Sequence, residues 1–312
     1  MRLFSFENSK IKELDTNPLN LENDSILIVN PQELLGISTL FSFRTTVINE
    51  AISKSGISKF EAYDDYSFAV LELLKEENGI LHFQETSFFM LKNLIIFIDH
   101  EIDKRNEKQL LSILEDDNLV VSKPSSSKIL FLFLEPFIKK LATTTSNIES
   151  DLVKLEDMLI ESKDVNFVYQ KIISIRRRIY FLKKHSDAFF DVLETICENE
   201  NESISKKHLH FFEILKNRSE KIASHLLNIR DYLDHVKDTY QSQLDSEMNR
   251  IMKIFTVVTS VFLPLSLIVG WYGMNFTYMP ELPWRFGYVY VILLSIFTLF
   301  VCFFYFKKKR LI

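Results

Sequence analysis

The chain has 312 residues, room for about two domains of ordinary size, and a formal net charge of -5. Hydrophobic residues at 47% and charged residues at 25%, with a mean hydropathy near zero, exclude disorder, collagen and a chain lying mostly in lipid. Only 6 Gly and 7 Pro argue against a turn-rich all-β fold, and Cys197 and Cys302 are too few to staple a secreted one.

The N-terminal part mixes two patterns. Met1–Phe6, Ser25–Val29, Phe60–Tyr63, Gly79–Phe83 and Leu94–Ile98 are rich in branched and aromatic residues and bounded by polar stretches, which predicts strands. Pro31–Leu40, Thr46–Lys54 and Asn106–Glu115 have helical spacing. Residues 1–122 therefore read as an α/β or α+β domain whose strand order is not legible. The polar run SKPSSS, Ser122–Ser127, marks its end.

Residues 123–249 read as a helical stalk. From Phe137 to Leu263 there are 127 residues without Gly or Pro, the two main helix breakers. Polar interruptions at Ser162–Asn166 and Glu198–Ser205 divide the run into three helices: Ser127–Glu161, Phe167–Cys197, and a third starting at Lys206. Nothing stops that third helix before Trp271, so it spans roughly 100 Å and must pack on its neighbours or on copies of itself.

Residues 250–312 are different in kind. Ile254–Pro280 is a run of 27 residues with no charge, and Phe286–Phe306 adds another of 21. Each reaches the roughly 20 residues that cross a hydrocarbon core. Two transmembrane helices are expected, over about residues 251–272 and 286–306. Arg250, Lys253, Lys307, Lys308, Lys309 and Arg310 flank them on one side, while the loop between carries only Glu281 and Arg285. The positive-inside rule then predicts cytoplasmic N- and C-termini for a multi-pass protein of the inner (plasma) membrane. MRLFSFENSK has no apolar stretch of a signal peptide to oppose this.

Dividing the charge at this boundary changes its meaning. Residues 251–312 hold six basic residues and one acid, a net of +5, leaving -10 for residues 1–250. An acidic body argues against nucleic acid as a partner and is compatible with gathering cations, or simply with solubility.

Along the first span runs a row of unusual composition: Asn249, Met252, Thr256, Thr259, Leu263, Ser266, Gly270 and Gly273. The spacings alternate between three and four residues, so the row keeps to one face of a left-handed bundle. A stripe containing Asn, Thr, Ser and Gly does not belong against lipid. It fits either close helix packing through small residues or the lining of a pore.

The loop that follows reads Tyr272-Gly273-Met274-Asn275-Phe276, and MPEL comes soon after. Here the chain resembles the CorA family of magnesium and cobalt channels, whose hallmark is Gly-Met-Asn at the end of the first of two C-terminal spans. The terminal KKK tract and the order of mixed domain, long helix and two spans also match that family.

The resemblance implies an α/β N-terminal cytosolic domain plus long stalk helices and two C-terminal transmembrane helices, assembled as a pentameric funnel-shaped channel. It implies a selectivity filter of Gly273, Met274 and Asn275, with Asn275 forming a ring of amide oxygens that holds the hydrated ion. Mg²⁺ sheds water reluctantly, and neutral carbonyls can hold its hydrated form weakly enough to release it. A helix C-cap is the local alternative for Asn275. The row, extended by Asp238 at the cytosolic mouth, would line the pore, with Met252 and Leu263 as apolar constrictions. Phe255 stands where the family has a smaller aliphatic residue; it narrows the gate or turns into the helix interface.

Closure by cytosolic divalent ions is a further family trait, and Glu50 and Glu213 are the candidate acids, the alternative being plain surface carboxylates. His208 and His210, two apart on a helix, do not face one ligand. His225 and His235 read as ordinary helix-face residues. Asp64-Asp65, Asp99-His100-Glu101 and Glu115-Asp116-Asp117 read as loop charges. No nucleotide-binding loop, catalytic elbow or zinc spacing occurs, so an enzyme is not expected. The expected function is influx of Mg²⁺, with Co²⁺ and Ni²⁺ as further cargo, through a homopentamer in the lipid bilayer without a cofactor. A zinc (Zn²⁺) transporter of the same superfamily and a non-conducting membrane-anchored sensor or scaffold are the alternatives.

Overall fold

The computed structural model describes residues 1–7, 10–14, 23–53, 56, 58–77, 80–100, 105–115, 125–161, 165–274, 276, 279 and 283–309. The chain divides into two compact units, Met1–Asp234 and His235–Ile312.

The first unit is built on a seven-stranded sheet. Its strands are β1 (Arg2–Glu7), β2 (Lys10–Leu14), β3 (Ser25–Val29), β4 (Lys59–Ala62), β5 (Ser67–Glu77), β6 (Ile80–Leu91) and β7 (Leu94–Ile98). They lie in the order β2-β1-β3-β7-β6-β5-β4, and only the central pair β3 and β7 runs parallel. SILIV and LIIFI are apolar almost throughout because both strands are buried on both faces.

Helices α1 (Pro31–Ile37) and α2 (Thr45–Ser53) cover one face. The first begins where the sequence dictates. Asn30 Oδ1 accepts from the Glu33 amide at 2.8 Å, Glu33 Oε2 accepts from the Asn30 amide at 2.9 Å, and Pro31 supplies a preset φ. Val47 and Ala51 close a core with Leu27, Phe68, Phe89 and Ile96. Helix α3 (Arg105–Leu114) and helix α4 (Ser126–Glu161) take the opposite face. There Phe133 meets Phe97 edge-on at 5.1 Å, and Asn106 bonds both Thr86 and Lys75.

The predicted strand Gly79–Phe83 is the beginning of a much longer element. Gly79 lies outside the described residues, but β6 runs 12 residues and pairs with the 11-residue β5, which the sequence pattern did not announce. Charges at Glu72 and Lys75 interrupt its apolar run, and helices answer both. His185 Nδ1 is 3.1 Å from Glu72 Oε2, and Lys75 Nζ donates to Asn106 Oδ1 at 2.8 Å. Strand β2, KIKEL, was equally silent; it is an edge strand tied to β1 by Arg2–Glu13 at 2.7 Å.

After the sheet come α4, α5 (Val165–Glu198), α6 (Leu209–Tyr272) and α7 (Gly287–Lys308). In the first unit, α6 buries Phe212, Leu215, Ser219, Ile222, Leu226, Ile229 and Leu233 at alternating spacings of three and four. That is the seam of a helical bundle. Arg218–Glu135 at 3.0 Å ties it to α4. Such part-exposed pairs contribute well under about 1 kcal/mol each, whereas each fully buried Leu or Ile contributes about 1.5–3 kcal/mol, so the apolar seam decides the packing.

Candidate ion-conduction site

Among the described residues, two helices are long and apolar enough to cross a membrane, α6, through its C-terminal part, and α7. Within the second unit they pack through one face each. On α6 the half-buried residues are Val257, Val261, Pro264, Leu265, Ile268 and Tyr272; on α7 they are Val291, Leu294, Ser295, Thr298 and Cys302, with Phe306 buried. Both sets recur at three and four residues, as a helix pair requires.

The row predicted from the sequence lies elsewhere. Asn249, Met252, Thr256, Thr259, Leu263, Ser266, Gly270 and Gly273 are all exposed. At about 100° per residue they centre on the side of α6 roughly opposite its contact with α7. The packing of the two spans leaves this row free, Met252 being 59% and Leu263 68% accessible. Phe255, 65% accessible, stands on the edge of the row. Asp238, further up α6, is exposed and 3.9 Å from Lys237 Nζ.

The two threonines have a defined hydroxyl geometry. Thr256 Oγ1 donates to the Met252 carbonyl at 2.8 Å and Thr259 Oγ1 to the Phe255 carbonyl at 2.5 Å. A hydroxyl has one proton, so each presents only acceptor lone pairs outward.

At the end of the span, the Gly273 amide donates to the Val269 carbonyl at 2.9 Å. A Cβ at Gly273 would lie 2.9 Å from that same oxygen, closer than side chains come to backbone. The glycine is demanded by this close approach. Gly270 has nothing within 4 Å of a Cβ, so the chain's own packing does not require it. Met274 is exposed and its amide reaches the Trp271 carbonyl at 3.4 Å. Asn275 lies outside the described residues, as do Glu281 and Arg310.

A family model described as CorA-like Mg²⁺ transporter protein matches residues 26–308, taking in the sheet, the long helices and both spans. The chain belongs to the CorA-like Mg²⁺ transporter family. Its relatives include the cobalt/magnesium transport protein CorA of Thermotoga maritima, 24% identical over 88% of this chain and 78% of that one. The magnesium transport protein CorA of Helicobacter pylori is 25% identical over 95% of this chain and 93% of its own. Among solved structures, the complete CorA magnesium transporter of Methanocaldococcus jannaschii superposes with a TM-score of 0.81 at 21% identity, covering 100% of this chain and 98% of that one. The cytoplasmic domain of ZntB from Vibrio parahaemolyticus shares the fold of 79% of this chain and 98% of its own, at a TM-score of 0.63 and 13% identity. As a CorA-like protein the chain is a membrane transporter, and the mixed α/β domain, long helices and two C-terminal apolar helices expected from its sequence are present.

The two acids singled out for regulation are differently placed. Glu50, on α2, accepts from Lys59 Nζ at 2.8 Å, and the same ammonium reaches Glu61 Oε1 at 2.8 Å. Burial disfavours the Lys59 charge, but the hydrogen bonds it donates to Glu50 and Glu61 outweigh it and raise its pKa. Lys59, and after it the Tyr63 hydroxyl at 2.6 Å, hold Glu61 below its ordinary value. Glu213 is exposed on α6 and makes no ion pair among the described residues. No group of three or more His, Cys, Asp or Glu side chains among the described residues is arranged to hold a metal ion. Sequence reasoning missed Lys59 because its partners stand on other elements or beside it in the strand.

Proposed function

We propose that this CorA-like protein is a homopentameric channel carrying Mg²⁺, with Co²⁺ and Ni²⁺ as further cargo, into the cytosol down their electrochemical gradients. The observation that carries this reading is the polar row on the face of α6 turned away from α7, which in the sequence leads into Gly273-Met274-Asn275. Five copies of the first span set side by side place that face around a common axis, while α7 takes the lipid side. The basic residues at Arg250, Lys253 and Lys307–Lys309 favour the orientation with both termini inside.

Hydrated Mg²⁺ presents only O–H donors to its surroundings. Outward lone pairs on Thr256 and Thr259, and the amide oxygen of Asn275, match that shell without stripping it. Met252 and Leu263 narrow the path between them with apolar rings that shut by excluding water. Glu50 and Glu213 serve as cytosolic sensing acids, and Glu50 does so by exchanging the Lys59 ammonium for a divalent ion. The inside-negative potential favours entry of a divalent charge by about 4–5 kcal/mol per 100 mV.

The deciding experiment is flux into liposomes containing the purified protein and a Mg²⁺-sensitive dye, with Zn²⁺, Co²⁺ and Ni²⁺ supplied in competition. Mg²⁺ entry from a pentamer is the expected result. Flux of Zn²⁺ alone, or a monomer in mild detergent, defeats the reading.

A further inference from the structure

At the far end of the β5–β6 hairpin, the sheet and the helices α4 and α5 leave a cavity of about 290 Å³. Its walls are Leu74 and Phe83 from the sheet and Phe181 and Leu182 from α5, with Arg177 and Arg178 alongside them. Phe181 stays 51% accessible, unusual for a phenylalanine in a folded unit. Behind the cavity, His185 stacks on Phe83 at 3.5 Å and meets Phe181 edge-on at 4.9 Å, which fixes both rings.

Arg178 also lines a second hollow, of about 150 Å³, further along the same pair of helices. Lys154 and Lys171 stand there, with Leu155 and Ile175 behind them. The one acid in the pair of hollows, Asp151, is taken by Arg178 Nη1 at 2.5 Å. Lys154 and Arg177 have no carboxylate partner among the described residues. Beyond the Arg178–Asp151 pair, three cations thus line the two hollows, on a polypeptide whose first 250 residues carry a net charge of -10. Local charge opposite to that of the surrounding body attracts anions.

The order of chemistry along the groove narrows the class of anion. Phe83 is covered by His185 and packs at a steep angle against Phe181 at 5.2 Å, so the 51% accessible Phe181 ring, beside Arg177 and Arg178, is the surface on which a planar ring stacks. From Arg178 to Lys171 is seven residues, about 10 Å along α5, and cations line that distance. This is the reach of a ribose and its phosphates, and guanidinium and ammonium groups are the side chains that hold phosphate.

We propose that this groove is a binding site for a nucleoside polyphosphate, its base against the exposed Phe181 ring at the cavity and its phosphates on Arg177, Lys171 and Lys154, with Arg178 held between them by Asp151. The site lies wholly in the first unit and its occupation is measured without ion flux, so it stands or falls apart from the conduction reading.

The experiment uses the full chain in nanodiscs of zwitterionic lipid, with EDTA present so that metal bridging does not contribute. ATP and ADP are titrated calorimetrically against wild type, Lys154→Glu with Lys171→Glu, and Phe181→Asp. Saturable ATP binding is expected, weakened roughly tenfold or more by the paired charge reversal and by loss of the ring, with each variant keeping the wild-type oligomer size. Inorganic triphosphate is expected to bind roughly tenfold more weakly than ATP, and equal affinity for the two overturns the base site. Absence of saturable ATP binding overturns the proposal. So does binding that all variants retain, or displacement of ATP by decanoate, which marks the groove as an acyl-chain site.

Discussion

Cys302 answers Pro264. A proline in a helix leaves the carbonyl four residues earlier without its amide partner, and here that carbonyl belongs to Ser260. The Cys302 thiol on the second span lies 3.9 Å from that oxygen. The contact explains how α6 keeps a proline at membrane depth, because freed carbonyls there are satisfied by neighbouring helices. Cys302→Ala is expected to destabilise the hairpin by roughly 0.5 kcal/mol, as single polar contacts in membranes do. In a Pro264→Ala background, where Ser260 regains an amide donor, the same substitution is expected to cost nothing. A double-mutant cycle from unfolding in mixed micelles measures the coupling; an equal cost in both backgrounds removes it.

The two glycines of the row separate backbone demand from lining. Gly273→Ala sets a methyl 2.9 Å from the Val269 carbonyl and is expected to cost about 1–3 kcal/mol, with loss of flux. Gly270→Ala meets nothing within 4 Å in its own chain. It should leave the melting temperature of the detergent-solubilised protein unchanged while lowering flux, the result expected of a residue facing an ion path. Equal melting of both variants and wild type would dispose of the distinction.

Asn275→Ala should abolish Mg²⁺ flux with the oligomer intact, as judged by size in mild detergent. Retained flux sinks the filter assignment.

For the cytosolic acids, Glu50→Lys and Glu213→Lys should each weaken closure by millimolar Mg²⁺, read as flux persisting at high internal Mg²⁺. Lys59→Gln should act in the opposite direction, since it frees Glu50 and Glu61 of their ammonium. Closure at lower Mg²⁺ in that variant is the sign to look for, and unchanged closure in all three excludes these residues as sensors.

His185 makes the first unit sensitive to acid. Its side chain is 6% accessible, and burial, then the nearby Lys184 charge, pull the imidazole down to about 4 from 6.5. Burial raises the Glu72 carboxyl facing it, so both partners favour their neutral forms. Between these two pH values the unfolded chain binds the histidine proton and the folded one does not, so stability falls as pH drops through that window. The histidine's share of that loss approaches about 3 kcal/mol at the lower end, and the raised Glu72 carboxyl, which takes up its proton earlier in the folded chain, offsets part of it. Denaturation midpoints of wild type and His185→Phe across pH 4 to 7 should diverge in slope; parallel curves refute the assignment.

Much of this molecule was legible beforehand for identifiable reasons. Long helices announce themselves because Gly and Pro are missing from them, and the face of the polar row followed from spacings of three and four, which hold whatever packs around it. The hairpin β5–β6 was hidden because Glu72 and Lys75 break its apolar run, and only the fold supplies His185 and Asn106 to meet them. The same holds for Glu50. A free surface carboxylate and one locked onto Lys59 read identically in sequence. Pro264 and Cys302 are 38 residues apart, and no periodicity joins them.

The hydroxyl protons of Thr256 and Thr259 are unavailable to anything that passes along the outer face of α6. A chain of hydroxyls relays protons only when each passes its hydrogen forward to the next. Both threonines turn theirs back onto the carbonyls of their own helix, at Met252 and Phe255. Along the proposed path the two threonines therefore offer a hydrated ion acceptor oxygens only, and any proton that travels there does so through water and not through their hydroxyls.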